Sequence, residues 1–469
     1  MVTKKNNIFK WLLSFLLVLG VLNFGQSELQ GLGTATVLAA TNSIKGVNWA
    51  DPNDNYATGV LYLSGLSSTD TYASAATVAD RVVSQFTSLT GSNTVRMPIN
   101  EATVSTYWGT YTGAIDTALS KGKVILCYWA AANGKPADMT QYWNMWNTVV
   151  GKYGSNSNCY FEPINEPYGY SGADLCTVYR TWLSNYSSVS KGRVVLDGSG
   201  YSENLSVVGA DSTLSSCLLG VHDYAFWKTL TSEGAWQQDI ANIISSYASR
   251  VVVTEWGAGM TTGKNYNQPS TDNEVCYIRG VGNQLRAMGV GSCYWPGLRD
   301  GDTYGLTQKS GTGASITLSL TNTSGLDRLK YAWGDENVKI KNAATNMYLD
   351  GNGATGNGAD TLQLNSASNT KQQWIIEGTG STYIRIKNAA TGLYMDGLGY
   401  TSNGANVGQW SDSNSTNQQW TQEISGSYVM FKNRGTGLYL DGLGYTTNGA
   451  VVGQWSNSGN SNQKWSVTP

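Results

Sequence analysis

At 469 residues the chain exceeds one ordinary hydrophobic core, so two domains and an export segment are expected. A formal net charge of −2 and a charged fraction of 13% leave no basic excess to neutralise a phosphate backbone, which argues against a nucleic-acid partner. The single histidine, His222, excludes multi-histidine metal centres, and neither a GxGxxG after a strand nor a Walker-type glycine loop occurs, so no metal and no cofactor are expected.

In chain order, Lys4, Lys5 and Lys10 precede a largely apolar run over 11–24, and small residues around Ala39 and Ala40 follow. This pattern predicts a cleaved export signal over residues 1–40, hence a secreted, extracellular protein with no membrane attachment after cleavage. The run is shorter than the ~20 apolar residues of a spanning helix. The mature chain is expected to be a monomer.

Over 41–334, short apolar runs at 44–49, 94–99, 123–129, 159–164, 193–197, 218–224, 250–256 and 289–295 read as strands. Amphipathic stretches at 74–89, 139–153, 173–186, 236–247 and 273–288 read as helices, and 321–334 as a last one. Runs rich in Val and Ile suit parallel strands buried on both faces, joined by right-handed crossovers. Eight such units close a (β/α)8 TIM barrel, an α/β fold; an open doubly wound sheet is the alternative. Pro163 within the fourth run predicts a bulge there, and Glu162 beside it reads as support for the barrel interior. Export permits disulfides, but Cys127, Cys159 and Cys293 sit in apolar runs, where a buried reduced thiol is the commoner state; no pairing is assigned to these or to Cys176, Cys217 and Cys276.

From 335 to 469 helical periodicity and cysteine vanish. A segment beginning at Lys341 recurs at Lys387 and Lys432, and each copy ends in Gln-x-Trp, at Trp374, Trp420 and Trp465; the offsets are 46 and 45 residues. Three copies of a β-rich unit that cannot bury its own apolar face predict an all-β domain with pseudo-threefold packing around a shared core. No Pro-rich or Ser-rich tract separates the halves, so the domains should abut.

Barrel enzymes gather their chemistry where strands end. There stand Arg96, Trp129, Asn165 with Glu166, His222 with Tyr224, Glu255 and Trp295. Phe161-Glu-Pro-Ile-Asn165-Glu166-Pro167 on the fourth strand and Val253-Thr-Glu255-Trp256-Gly on the seventh, with Val95-Arg96-Met-Pro before them, His222-Asp-Tyr224 between them and Trp295 after them, resemble glycoside hydrolase family 5 or its clan. The resemblance implies that Glu166 is the proton donor and Glu255 the nucleophile. It also implies that Arg96, Asn165, His222 and Tyr224 complete the catalytic set, and that Trp295, with Trp129, lines the substrate subsite. Many members carry a further histidine after the third strand, where Cys127-Tyr-Trp129-Ala has none; that departure bears on the substrate.

The chemistry is consistent with this assignment. Cleaving an acetal needs a proton for the leaving oxygen and a carboxylate facing the anomeric carbon; carboxyls ~5–5.5 Å apart give retention and ~6.5–9.5 Å inversion. Burial is expected to keep Glu166 protonated, while Arg96 and the Tyr224 hydroxyl favour an ionised Glu255.

Residues 336–469 resemble the ricin-type β-trefoil of carbohydrate-binding module family 13. The Gln-x-Trp tryptophans read as core. Asp396, Tyr400, Trp410 and Asn417 in the second repeat, and Asp441, Tyr445, Trp455 and Asn462 in the third, read as two sugar sites. The first repeat keeps Asp350 but has Ala354, Leu364 and Lys371 at the equivalent positions, and reads as silent. The chain is thus expected to be a retaining endo-β-glycosidase acting on a polysaccharide, with β-1,4-glucan favoured. The alternatives are a mannanase, xylanase or galactanase of the same family, an inverting or transglycosylating carboxylate enzyme, and an inactive lectin.

Overall fold

The computed structural model describes residues 41–469 apart from 56, 131–133, 336, 380–382, 426–427 and 469. The expected export signal, 1–40, lies outside the described residues. Eight parallel strands form one sheet: β1 (Lys45–Trp49), β2 (Thr94–Ile99), β3 (Lys123–Tyr128), β4 (Cys159–Glu162), β5 (Val195–Asp197), β6 (Leu218–Tyr224), β7 (Val251–Gly257) and β8 (Gly291–Leu298). The order β4-β3-β2-β1-β8-β7-β6-β5 brings the two ends together, and a parallel bridge from Phe161 to Val194 joins the seam. The sheet is a barrel, and the open alternative does not apply.

Alternation along each strand separates two cores. Val47, Val95, Leu126, Phe161, Val221 and Val253 face outward into the large cluster under the helices. Ile44, Ile125, Val195, Leu218, Val252 and Cys293 fill the barrel interior. The expected helices form at Tyr72–Thr90, Met139–Tyr153, Gly172–Asn185, Glu233–Ile244, Asn273–Met288 and Thr323–Ala332. Two more, Glu101–Thr106 and Trp108–Lys121, occupy a segment left unassigned by periodicity. The second carries Gly109, Gly113 and four β-branched residues, a poor helical composition. Packing overrides propensity there: a Cβ at Gly113 would meet the Tyr72 carbonyl oxygen at 2.2 Å, so the glycine is what lets this helix lie against Tyr72–Thr90.

The bulge expected at Pro163 is not there. β4 ends one residue earlier, at Glu162, because proline has no N–H to extend the ladder. An antiparallel hairpin, β9 (Thr307–Ser310) and β10 (Thr317–Leu320), also escaped the sequence reading. All six cysteines are buried and unbonded. Among the described residues no helix is long and apolar enough to cross a membrane.

The C-terminal region is all β from Lys339–Asn342 to Trp465–Thr468. Its threefold core is built on Trp374, Trp420 and Trp465, all fully buried. Each indole N–H donates to the carbonyl oxygen 25 residues earlier, of Leu349, Met395 and Leu440, at 3.0, 3.1 and 3.1 Å. A buried indole removes roughly 150–250 Å² from water, worth on the order of 4–6 kcal/mol before entropy. The domains abut as expected: Tyr331 of the last barrel helix packs in the trefoil core, and a Cβ at Gly378 would lie 3.0 Å from the Gly289 Cα.

Candidate active site

Arg96 organises the barrel mouth. Period two on β2 turns it inward, fully buried, between Asn48 on β1 and Ile125 on β3. Its Nε and Nη2 donate to Glu162 at 2.7 and 2.6 Å; Nη1 donates to Glu255 at 2.6 Å and to Asn48 at 3.0 Å; Nη2 also donates to Asn165 at 2.6 Å and Cys127 Sγ at 2.9 Å. One guanidinium thus offsets two buried carboxylates whose unpaired burial costs several kcal/mol each.

Glu255 reaches this network through a break in the pattern. Val253 and Trp256 both face the outer core, so strict alternation would send Glu255 outward with Val253. The register slips against β6 between Val221 and His222 and against β8 between Val253 and Trp256, which leaves one extra residue on β7. That bulge points Glu255 into the mouth, opposite His222. Its Oε2 accepts from the Tyr224 hydroxyl at 2.9 Å.

Glu166 follows β4 in a left-handed conformation, φ 43°, a costly state for a residue with a side chain. Two contacts hold it: the backbone N–H donates to Asp197 Oδ2 at 3.1 Å, and Gly134 lies so close that a Cβ there would meet the Glu166 carbonyl oxygen at 2.0 Å. Glu166 Oε1 lies 2.9 Å from His222 Nδ1, whose ring is also 3.6 Å from Glu255. One oxygen each of Glu166 and Glu255 and a ring nitrogen of His222 all lie within 4.8 Å of one another. The carboxyls therefore face each other, nearer the short spacing than the long one.

Burial pushes the Glu166 carboxyl up to about 7; Arg96 opposes this and the Glu162 charge adds to it. Burial lowers His222 to about 4, so its imidazole is neutral at pH 7. Burial also raises the Glu255 carboxyl; the Arg96 guanidinium favours its ionised form, as expected, but does not cancel the burial, so the net direction is up.

Glu166 opens onto a cleft of about 200 Å³ lined also by Trp129, Asn165, Tyr168 and Tyr201 among others. The Asn165 oxygen is taken by Arg96, which leaves its amide N–H group for the cleft. Trp129 and Trp295 stack on each other, centroids 5.5 Å apart and planes 11° apart. The Trp129 indole N–H donates to the Asp54 carbonyl oxygen at 3.0 Å, which fixes the ring at the cleft wall.

In the trefoil, Asp396, Tyr400, Trp410 and Asn417 share one pocket of about 400 Å³ with Gly358 of the neighbouring lobe. Tyr445 and Trp455 repeat the exposed aromatics, and Asp441 Oδ1 accepts from Leu443 N–H at 2.7 Å as Asp396 does from Leu398. Asn462 lies near Gly444 as Asn417 does near Gly399. In the first lobe the Lys371 side chain covers the matching glycine, Gly353, within 2.8 Å of where a Cβ would stand.

The sequence model of the cellulase family, glycosyl hydrolase family 5, matches residues 55–297, just over half of the 469-residue chain. The chain belongs to glycosyl hydrolase family 5. A ricin-type beta-trefoil lectin domain-like model matches residues 328–410 and 416–469 of this family 5 hydrolase. No curated protein matches it. Among solved structures, a designed three-fold symmetric protein, ThreeFoil, is 32% identical over 28% of this chain and 98% of that one, TM-score 0.28. An exo-β-1,3-galactanase from Clostridium thermocellum is 23% identical over 34% of this chain and 32% of that one, TM-score 0.27. A GlcNAcα1-4Gal-releasing endo-β-galactosidase from Clostridium perfringens is 18% identical over 29% and 32%, TM-score 0.25. The chain spans about a third of the length of the last two.

Glu162 supports the barrel interior as expected, as the bidentate partner of Arg96. Two further residues of the site, Asn48 and Asp197, lie at or next to the ends of short strands with no distinguishing neighbours. The positional signal was available for both, since each lies at the same strand end as the chosen residues. Glu162, Asp197 and His222, and Glu166, His222 and Glu255, form two acid–imidazole groups with ligand atoms within 4.8 Å. The Arg96 guanidinium, bonded to Glu162 and Glu255, opposes a cation at either.

Proposed function

We propose that this family 5 glycoside hydrolase is a secreted, retaining endo-β-glycanase, with β-1,4-glucan the favoured substrate and the trefoil as its polymer anchor. The observation that carries this reading is that carboxylate oxygens of Glu166 and Glu255 lie within 4.8 Å of each other beside an open cleft. Glu255 holds a guanidinium on one oxygen and a phenol on the other, and so carries the negative charge of the pair. Glu166 has a neutral imidazole beside it and a carboxyl raised to about 7, which suits a proton donor.

In the first step a Glu255 oxygen bonds to the anomeric carbon while the glycosidic C–O bond breaks and the Glu166 proton passes to the leaving oxygen. In the second, Glu166 takes a proton from water, the water oxygen bonds to the same carbon, and Glu255 leaves as carboxylate. Asn165 donates to the sugar 2-hydroxyl, a contact that tightens at the transition state. Reducing-sugar release from β-1,4-glucan, mannan, xylan and galactan tests the reading: release from the glucan is expected, and activity on none of them contradicts it.

For the trefoil, two weak sites on one chain gain avidity on a polymer. The double change Trp410→Ala and Trp455→Ala is expected to reduce retention on insoluble β-1,4-glucan by about tenfold or more. Retention equal to the wild type discards the two-site anchor.

A further inference from the structure

The helices Glu233–Ile244 and Asn273–Met288 pack side by side on the outside of the barrel, so close that a Cβ at Gly280 would meet the Glu233 carbonyl oxygen at 2.5 Å. The outer face of such helices is normally polar because water solvates it. Glu233 with Gln237, and Arg279 with Asn283, are i,i+4 neighbours that make a face of this kind. Here it is hidden from solvent: Glu233 is 8% exposed, Gln237 3% and Arg279 3%. Across from it stand the last trefoil strand, Trp465–Thr468, and Val429, which pairs with Trp465.

The two surfaces do not close on each other. They bound a cavity of about 280 Å³, lined by the four barrel side chains and, from the trefoil, by Gln422 and Tyr428 among others. Part of the polar lining is already engaged. Arg279 Nε donates to Glu233, so the two charges offset each other. The Asn283 amide donates to Glu233 at 3.4 Å and accepts from Arg328 at 2.6 Å. The Gln237 and Gln422 amides and the Tyr428 hydroxyl make no hydrogen bond among the described residues. Buried polar side chains are nearly always partnered, so the Gln237 amide, lining the cavity, marks a place for a ligand.

The lining selects the ligand. A primary amide both donates and accepts, as a hydroxyl does, and a charge pair that offsets itself selects no ion. Tyr428, 37% exposed, offers an aromatic face for the C–H side of a sugar ring. The volume is close to the lower end of the ~300–1,000 Å³ of small-molecule pockets, which suits one or two rings rather than a polymer. We infer that the barrel–trefoil junction is a further carbohydrate site, a pocket for a neutral mono- or disaccharide with one wall from each domain. A bound sugar bridges the two walls and so ties the trefoil to the barrel. The site is separate from the Glu166–Glu255 cleft and from the trefoil pockets, and it stands whether or not those carboxylates hydrolyse a glycan.

Hydrogen exchange of the full chain, followed by mass spectrometry, localises such binding. The probes are the β-linked disaccharides of glucose, mannose, xylose and galactose. With at least one of them, exchange in Glu233–Ile244 and in Tyr428–Asn433 is expected to slow, by about tenfold at a free sugar concentration about ten times Kd. Gln237→Leu should abolish this slowing, and Tyr428→Ala, a change at an exposed position, should weaken it; slowing at the cleft and at the Trp410 and Trp455 pockets should remain in both. No slowing at the junction with any of the four sugars overturns the site. Slowing that persists undiminished in both variants also overturns it, because the effect then comes from a sugar bound elsewhere.

Discussion

Glu255→Ala is expected to lose at least about 10⁴-fold in kcat/KM on every substrate the wild type hydrolyses. No neighbouring group can replace it: Tyr224 donates its hydroxyl to the same carboxylate, Asn48 is engaged by Arg96, and Glu162 is held at both oxygens by Arg96. The fold should survive, because Arg96 keeps Glu162, Asn48, Asn165 and Cys127 as partners. Sodium azide is expected to restore turnover in the variant, because the small anion enters the space vacated by the carboxylate and attacks from the same face. The product is then the azide of inverted configuration. Variant activity equal to the wild type removes Glu255 from the nucleophile role, and a folded variant that azide does not rescue removes the covalent step.

Glu166→Gln acts on the other half of the reaction, and its effect depends on the leaving group. On polysaccharide, loss of the proton donor is expected to cost about 10³-fold, the middle of the range for general acid catalysis. On a β-glycosyl fluoride, whose leaving atom needs little protonation, the loss should be much smaller. The pH dependence follows from the same carboxyl. Burial raises it to about 7, so the active protonated form prevails below that pH and is lost as pH rises through it. Wild-type kcat/KM on polysaccharide should therefore decline on the alkaline side of about 7, and that limb should vanish in Glu166→Gln. His222 does not set this limb, because burial holds it near 4 and it is neutral throughout. Retention of the alkaline decline in Glu166→Gln contradicts the assignment.

Much of this was legible in the chain. Arg96, His222 and Tyr224 follow from period two on strands whose other face is aliphatic, and the eight runs emerged as eight strands. The trefoil core was legible because its spacing repeats at 46 and 45 residues and its three indoles do one job. The inward turn of Glu255 was not, because one extra residue on β7 reverses the alternation and nothing in Val253-Thr-Glu255 announces it. The strained backbone of Glu166 was equally hidden, since it is imposed by Asp197 and by the close approach of Gly134 from distant segments. The Trp108–Lys121 helix was missed because tertiary packing against Tyr72–Thr90 overrides a glycine- and threonine-rich sequence.

The stereochemistry of the first-formed product reports most directly on the separation of the two carboxyls. Proton NMR of a β-linked substrate, begun within the first minutes of hydrolysis, should show the β-anomer of the new reducing end appearing first and the α-anomer growing in only by mutarotation. An α-anomer that leads from the start means water attacked in a single displacement, and then Glu255 does not bond to the sugar.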